Sequence, residues 1–205
     1  MDGLLIDSEP YWKMAEKQVF GQYGLQLTDE ILRQVMGFRL SEAVLHWYNY
    51  QPWENPDLEK TENEVLDCVK QLIMNNASAM PGVNEVLEHC KQQGWKIALA
   101  SSSSMSLIQL VVDKLNIRNY FEVICSAEVE PYGKPHPGIF LTTAQKLGVE
   151  PTQCLVFEDS VNGVIAAKAA RMQCVAVPEE ISMNDIRFAI ADLKIGSLKD
   201  FTVHG

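Results

Sequence analysis

From about residue 81 onward, strand and helix patterns alternate without interruption, and no other feature restricts the fold as tightly. Val83, Val86, Leu87 and Cys90 recur at helical spacing, with Gly94 placed where a helix stops. Ile97-Ala98-Leu99-Ala100 reads as a buried strand, and Leu107, Ile108, Val111, Val112 and Leu115 mark one face of the helix after it. Phe121 to Cys125 is a second strand. Pro137 is suited to the first position of a helix carrying Phe140, Ala144 and Leu147, which Gly148 closes. Leu155-Val156-Phe157, a helix over 164–170 and Val175-Ala176-Val177 complete the series. Strands apolar on both faces, each followed by a helix, predict an α/β fold with a Rossmann-like parallel sheet covered on both sides.

Residues 10–76 follow another pattern. Trp12, Ala15, Val19 and Phe20 suggest a helix, and so do Ile31, Leu32, Val35 and Met36. Two further helical stretches carry Val44, Leu45 and Trp47, then Val65, Leu66, Val69, Leu72 and Ile73, separated by the turn-rich Gln51-Pro52-Trp53-Glu54-Asn55-Pro56. No strand signal interrupts them. The expected organisation is an all-helical insert over 10–76, set into a core made of 1–9 and 77–205.

The 205 residues, 47% hydrophobic and 21% charged, suffice for a substantial core and are unlike a disordered chain. A net charge of −10 argues against nucleic acid as a partner, because no basic stripe exists to displace counterions from phosphates. An anionic ligand would have to be drawn in by local cations. Five cysteines without a C-x-x-C pattern read as buried free thiols in a reducing compartment. No apolar run reaches the roughly 20 residues of a membrane span, and no basic-then-apolar leader is present, so a cytoplasmic protein is expected; a monomer is expected too, although no residue pattern bears on it.

In open parallel sheets, ligands sit beyond the carboxyl ends of the strands. Ser101 to Ser104 follow the 97–100 strand, Gly133-Lys134-Pro135-His136-Pro137 follow the 121–125 strand after a loop, and Glu158-Asp159-Ser160 follow the 155–157 strand. Singly, each has an ordinary explanation: a serine caps a helix, a lysine is solvated, a carboxylate caps the next helix. Together they place a hydroxyl, an ammonium and adjacent carboxylates at the strand ends of one sheet. Adjacent carboxylates need a cation, and Mg²⁺ with oxygen ligands is the usual solution. Lys134 can reach a phosphate oxygen, and Ser101 with the amides after it forms an anion-binding turn. Among the histidines, His46, His89 and His204 read as structural or solvated, and His136 as stiffening its loop rather than ligating metal.

These stretches, with Met1-Asp2-Gly3-Leu4-Leu5-Ile6-Asp7-Ser8-Glu9 and Met80-Pro81-Gly82-Val83, resemble the serial motifs of the haloacid dehalogenase superfamily across nearly the whole chain. Within it the chain is most similar to hexitol or 2-deoxyglucose-6-phosphate phosphatases and β-phosphoglucomutase-like enzymes. The resemblance implies a core with a helical cap, hinged near Ser8–Pro10 and Ala77–Pro81. It implies Asp2 as general acid/base and metal ligand through its carbonyl, and Ser101 and Ser102 as holders of the phosphoryl group. Lys134 orients nucleophile and phosphate, and Glu158 and Asp159 hold Mg²⁺. Gly37-Phe38-Arg39 resembles a substrate-facing loop, which makes Arg39 the grip on the far part of the substrate.

The departure from the family pattern lies at the start. The nucleophile in D-x-D-G is the first Asp, a position that falls immediately before Met1. The expectation is that the native chain begins upstream with the sheet's central first strand, and that the chain from Met1 lacks its nucleophile. The implied activity is Mg²⁺-dependent hydrolysis of small phosphate monoesters, hexose or hexitol phosphates, through an aspartyl-phosphate. A phosphomutase is the alternative, although Trp12 stands where family mutases carry a proton-shuttling His. An inactive relative that only binds phosphate esters is the other.

Overall fold

The computed structural model describes residues 1–201, so His204 lies outside the described residues. Four α-helices fill the segment expected to be helical: α1 (Glu9–Gln22), α2 (Asp29–Leu32), α3 (Leu40–Tyr50) and α4 (Leu58–Asn76). Each start has a local cause. Pro10 stands in the first turn of α1, Thr28 Oγ1 caps α2 by accepting from the Ile31 N–H, and the Asp57 carboxylate caps α4 by accepting from the Lys60 N–H. The buried side chains of this helical unit are continuous with those of the alternating half. Phe20, Val44, Trp47, Val65, Val69 and Ile73 are almost wholly removed from water, and Tyr23 stacks on Trp53 at 4.9 Å.

The alternating half follows as α5 (Val83–Gln92), β1 (Ala98–Ser101), α6 (Met105–Lys114), β2 (Val123–Ser126) and α7 (Gly138–Leu147). It continues with β3 (Leu155–Glu158), α8 (Val161–Ala169), β4 (Gln173–Ala176) and β5 (Leu193–Lys194). Every strand pair is parallel, as the apolar strands predicted. Boundaries move by one to three residues from the sequence reading because capping, not periodicity, sets them. Ser104 starts α6 and Ser160 starts α8 by accepting backbone N–H bonds from Leu107 and Gly163. Pro137 sits just before α7 rather than within it, and Gly148 ends that helix at φ +67°. β5 was not anticipated, since its two residues are too few to show periodicity.

The strands form two sheets among the described residues, β1–β2 and β3–β4–β5. Residues 1–9 contribute no strand to either. Met1 to Ile6 make a turn with bridges from Asp2 to Ile6 and from Ile6 to Ala79. Between β1 and β3 runs a cleft of about 680 Å³ whose walls include Ala98, Ala100, Leu155, Phe157 and Phe140. The five cysteines are free, as expected, but only Cys125 and Cys174 are buried; the other three are half-buried. No helix among the described residues is long and apolar enough to cross a membrane.

Candidate active site

β1 pairs parallel with β2 in one sheet and β3 with β4 in the other, and residues that follow β1, β2 and β3 line a common cavity. Asp2, Ser101, Ser102, Lys134, Glu158 and Asp159 all line one cavity of about 380 Å³, with Arg39 reaching it from the helical unit. The sequence reading singled out these seven, and the fold brings all seven together.

Asp2 is the most heavily engaged. Its Oδ1 accepts hydrogen bonds from Ser8 Oγ at 2.6 Å and Trp12 Nε1 at 2.9 Å, and its Oδ2 from Ser103 Oγ at 2.5 Å. Burial pushes its carboxyl up, and the donors Ser103, Ser8 and Trp12 act against burial and favour the ionised form. Ser8, Trp12 and Ser103 were not assigned this role from sequence. The only signal was indirect, Trp12 standing at the position of a family proton shuttle.

Lys134 and Glu158 form a buried ion pair, with 7% and 5% of their surface exposed, and the ammonium lies 4.8 Å from the centre of the Phe140 ring. Glu158 also accepts from Ser160 Oγ at 3.2 Å. Burial would raise Glu158, but Lys134 holds it below the usual range. Asp159 behaves in the opposite way. Burial, then the neighbouring Glu158 charge, push it up to about 7, and among the described residues no other side chain donates a hydrogen bond to it. Gly3 and Gly163 back directly onto Asp159 and Glu158, where any Cβ would collide with the carboxylates.

Two expected phosphate or substrate contacts are occupied otherwise. Ser102 Oγ donates to the Gly37 carbonyl of the helical unit at 3.1 Å, while Ser101 Oγ accepts only from the Ser103 N–H at 3.2 Å. Arg39 is neither solvated nor free. Its Nη1 donates to the Glu130 carbonyl at 2.8 Å, and its Nη2 pairs with Glu42 at 2.6 Å. Glu42 in turn accepts from the Gly133 N–H at 3.1 Å, so Arg39 and Glu42 clasp the loop that carries Lys134. His136 stiffens that loop as expected, Nδ1 accepting from the Gly138 N–H at 3.1 Å.

Acidic side chains outnumber basic ones around the cavity by seven to four, and Lys134 and Arg39 are already paired. An anionic ligand therefore meets a deficit of positive charge. Glu158, Asp159 and Asp2 offer hard oxygen donors of the kind Mg²⁺ takes, and the raised Asp159 is the mark of a carboxylate pair short of a cation. Among the described residues, however, no three His, Cys, Asp or Glu side chains already converge at metal-ligand spacing.

Residues 1–177 match the family model described as haloacid dehalogenase-like hydrolase. Hexitol phosphatase B of Escherichia coli (strain K12) is 41% identical over 203 residues, covering 98% of this chain and 91% of that protein. Fructose-1-phosphate phosphatase YqaB of the same organism is 30% identical over 181 residues, covering 86% and 93%. Among solved structures, β-phosphoglucomutase from Clostridium difficile superposes with a TM-score of 0.84 at 26% identity, covering 98% of this chain and 90% of that one. The chain belongs to the haloacid dehalogenase-like hydrolases. Within that family it is an enzyme of the phosphatase kind.

Proposed function

We propose that this protein hydrolyses small sugar phosphates, hexose or hexitol monophosphates, through an aspartyl-phosphate with Mg²⁺ as cofactor. The observation that carries the reading is the convergence of Asp2, Ser101, Lys134 and Asp159 on one cavity, with Trp12 bonded to Asp2. The relatives named for hexitol and fructose-1-phosphate hydrolysis support the substrate class.

The nucleophile in this reading is an aspartate at the position just before Met1, as the D-x-D-G motif requires. Its carboxylate attacks phosphorus, the ester P–O bond breaks, and the leaving oxygen takes a proton from Asp2. Asp2 then removes a proton from water, whose oxygen attacks the aspartyl-phosphate to release inorganic phosphate. Trp12 N–H can only donate, so Oδ1 stays an acceptor and the travelling proton belongs on Oδ2, facing the rotatable Ser103 hydroxyl. Ser101 receives the phosphoryl oxygens, and Lys134, neutralising Glu158, can turn toward them. Glu158, Asp159 and the Asp2 carbonyl would hold Mg²⁺, which supplies positive charge for the phosphoryl oxygens. Residues 10–76 act as a cap over the core formed by 1–9 and 77–205, and the Ser102–Gly37 and Arg39–Glu130 bonds hold it closed.

A mutase must pass a proton to and from a second hydroxyl of its substrate. Trp12 has no titratable group for that task, which favours the phosphatase reading. The test is p-nitrophenyl phosphate hydrolysis with and without Mg²⁺, comparing the 205-residue chain with a version extended by a strand ending in Asp. Turnover by the extended protein alone is the expected result. Equal turnover by both would mean that another group is the nucleophile and that the first step is wrong.

A further inference from the structure

Glu16 is a carboxylate where α1 otherwise buries Ala15, Val19 and Phe20. It is 7% exposed, and what lies open faces the same cavity as Asp2 and Ser101. One oxygen is held in place. Trp47, with no exposed surface, donates its Nε1–H to Glu16 Oε2 at 2.9 Å, and Phe20 packs edge-on against that indole at 6.5 Å between centroids. The carboxylate is therefore fixed in direction before any ligand arrives. Its second oxygen, Oε1, has no hydrogen-bond partner among the described residues, and it is not among the sealed polar atoms lacking one. It therefore opens onto the cavity, which Leu32, Val35, Ala43 and Leu66 line together with Lys13, Arg33, Glu62 and Asn63.

An oriented, unshared acceptor on a nearly buried side chain favours a ligand that brings a donor to it, because in that setting the bond is little diluted by water. We propose that Glu16 is the residue that recognises a hydroxyl of the substrate, selecting polyhydroxylated phosphate monoesters over alkyl or aryl ones. The inference rests on the sugar-phosphatase reading and adds to it a specificity residue. With the phosphoryl group at Ser101 and Lys134, the carbon chain of the ester extends toward the helical unit and its hydroxyls toward Oε1. Arg39, clasped to Glu42 and the Glu130 carbonyl, is not the residue left free for this task. The placement also has a cost, since burial pushes the Glu16 carboxyl up to about 7.

The experiment is calorimetric titration of the full chain at pH 8.5, where the Glu16 carboxyl raised to about 7 is ionised, with a hexitol phosphate and with n-hexyl phosphate, which has the same length and no hydroxyls. Glu16→Met removes the acceptor at constant size, and Glu16→Gln keeps an acceptor without charge. Circular dichroism confirms that both fold. Glu16→Met should lose about 10- to 100-fold in affinity for the hexitol phosphate, as for a hydrogen bond to a charged group, and far less for hexyl phosphate. Glu16→Gln should fall between it and the native chain. If both esters weaken by the same factor, or neither does, Glu16 serves packing alone and the inference is wrong. Failure of the unsubstituted chain to bind either ester would instead overturn the sugar-phosphatase reading, and this inference with it.

Discussion

Replacing Glu16 with glutamine separates the cost of its buried charge from everything else it does. The amide keeps the oxygen that accepts from Trp47 Nε1 at 2.9 Å and nearly the same volume. In the folded protein, burial raises the Glu16 carboxyl from 4.5 to about 7, against the smaller lowering effect of the Trp47 hydrogen bond. At roughly 1.4 kcal/mol per pH unit, this rise amounts to about 3 kcal/mol between the ionised and neutral forms. The sign follows from proton counts. Between the unfolded and folded values the native state holds the proton and the unfolded chain does not, so native stability falls as pH rises through that window. Glutamine has no proton to lose. Glu16→Gln should therefore match the native protein near pH 4.5 and become more stable with rising pH, levelling off above pH 7 at a gap of about 3 kcal/mol. For a chain of this size the gap corresponds to about 6–12 °C in melting temperature. Urea melts of both proteins at several pH values from 4.5 to 8.5 measure it directly. A gap that does not change with pH would refute the reasoning, and so would a glutamine variant less stable at pH 8.

Lys134→Met leaves Glu158 buried without its partner and should destabilise the fold by about 3–5 kcal/mol in urea melts, with much of the loss recovered in the Lys134→Met, Glu158→Gln double variant. Mg²⁺ should raise the melting temperature of the native chain but not of Asp159→Asn. The increment should grow from pH 6 to 8, because the proton that competes for a carboxyl titrating near 7 is lost over that range. Gly163→Ala puts a methyl group into the Glu158 carboxylate and should cost about 1–3 kcal/mol in the same melts, whereas Gly94→Ala meets no neighbour and strains only its backbone at φ +69°.

Much of the site was legible before any coordinates because parallel topology does the placing. Ligands of parallel sheets sit beyond the carboxyl ends of the strands, and Ser101, the Lys134 loop and Glu158-Asp159, which end or follow β1, β2 and β3, line one cavity. The chemistry of those residues could be read from type and order alone. Their partners could not. Trp12 bonding Asp2, Trp47 fixing Glu16 and Arg39 pairing with Glu42 beside the Lys134 loop all depend on which helix faces which loop.

The linear sequence, then, determined the α/β class, the helical segment ahead of it and the polar residues at the strand ends. Those properties are local, set by apolar periodicity, caps and strand-end position. Tertiary structure alone decided which polar groups are already spent on one another and which face open space. Ser102 and Arg39 became contacts between the helical unit and the core, while Glu16 kept one oxygen toward the cavity. A hydrogen bond or ion pair between residues tens of positions apart depends on distance and burial in space, and neither quantity is written in the order of the residues.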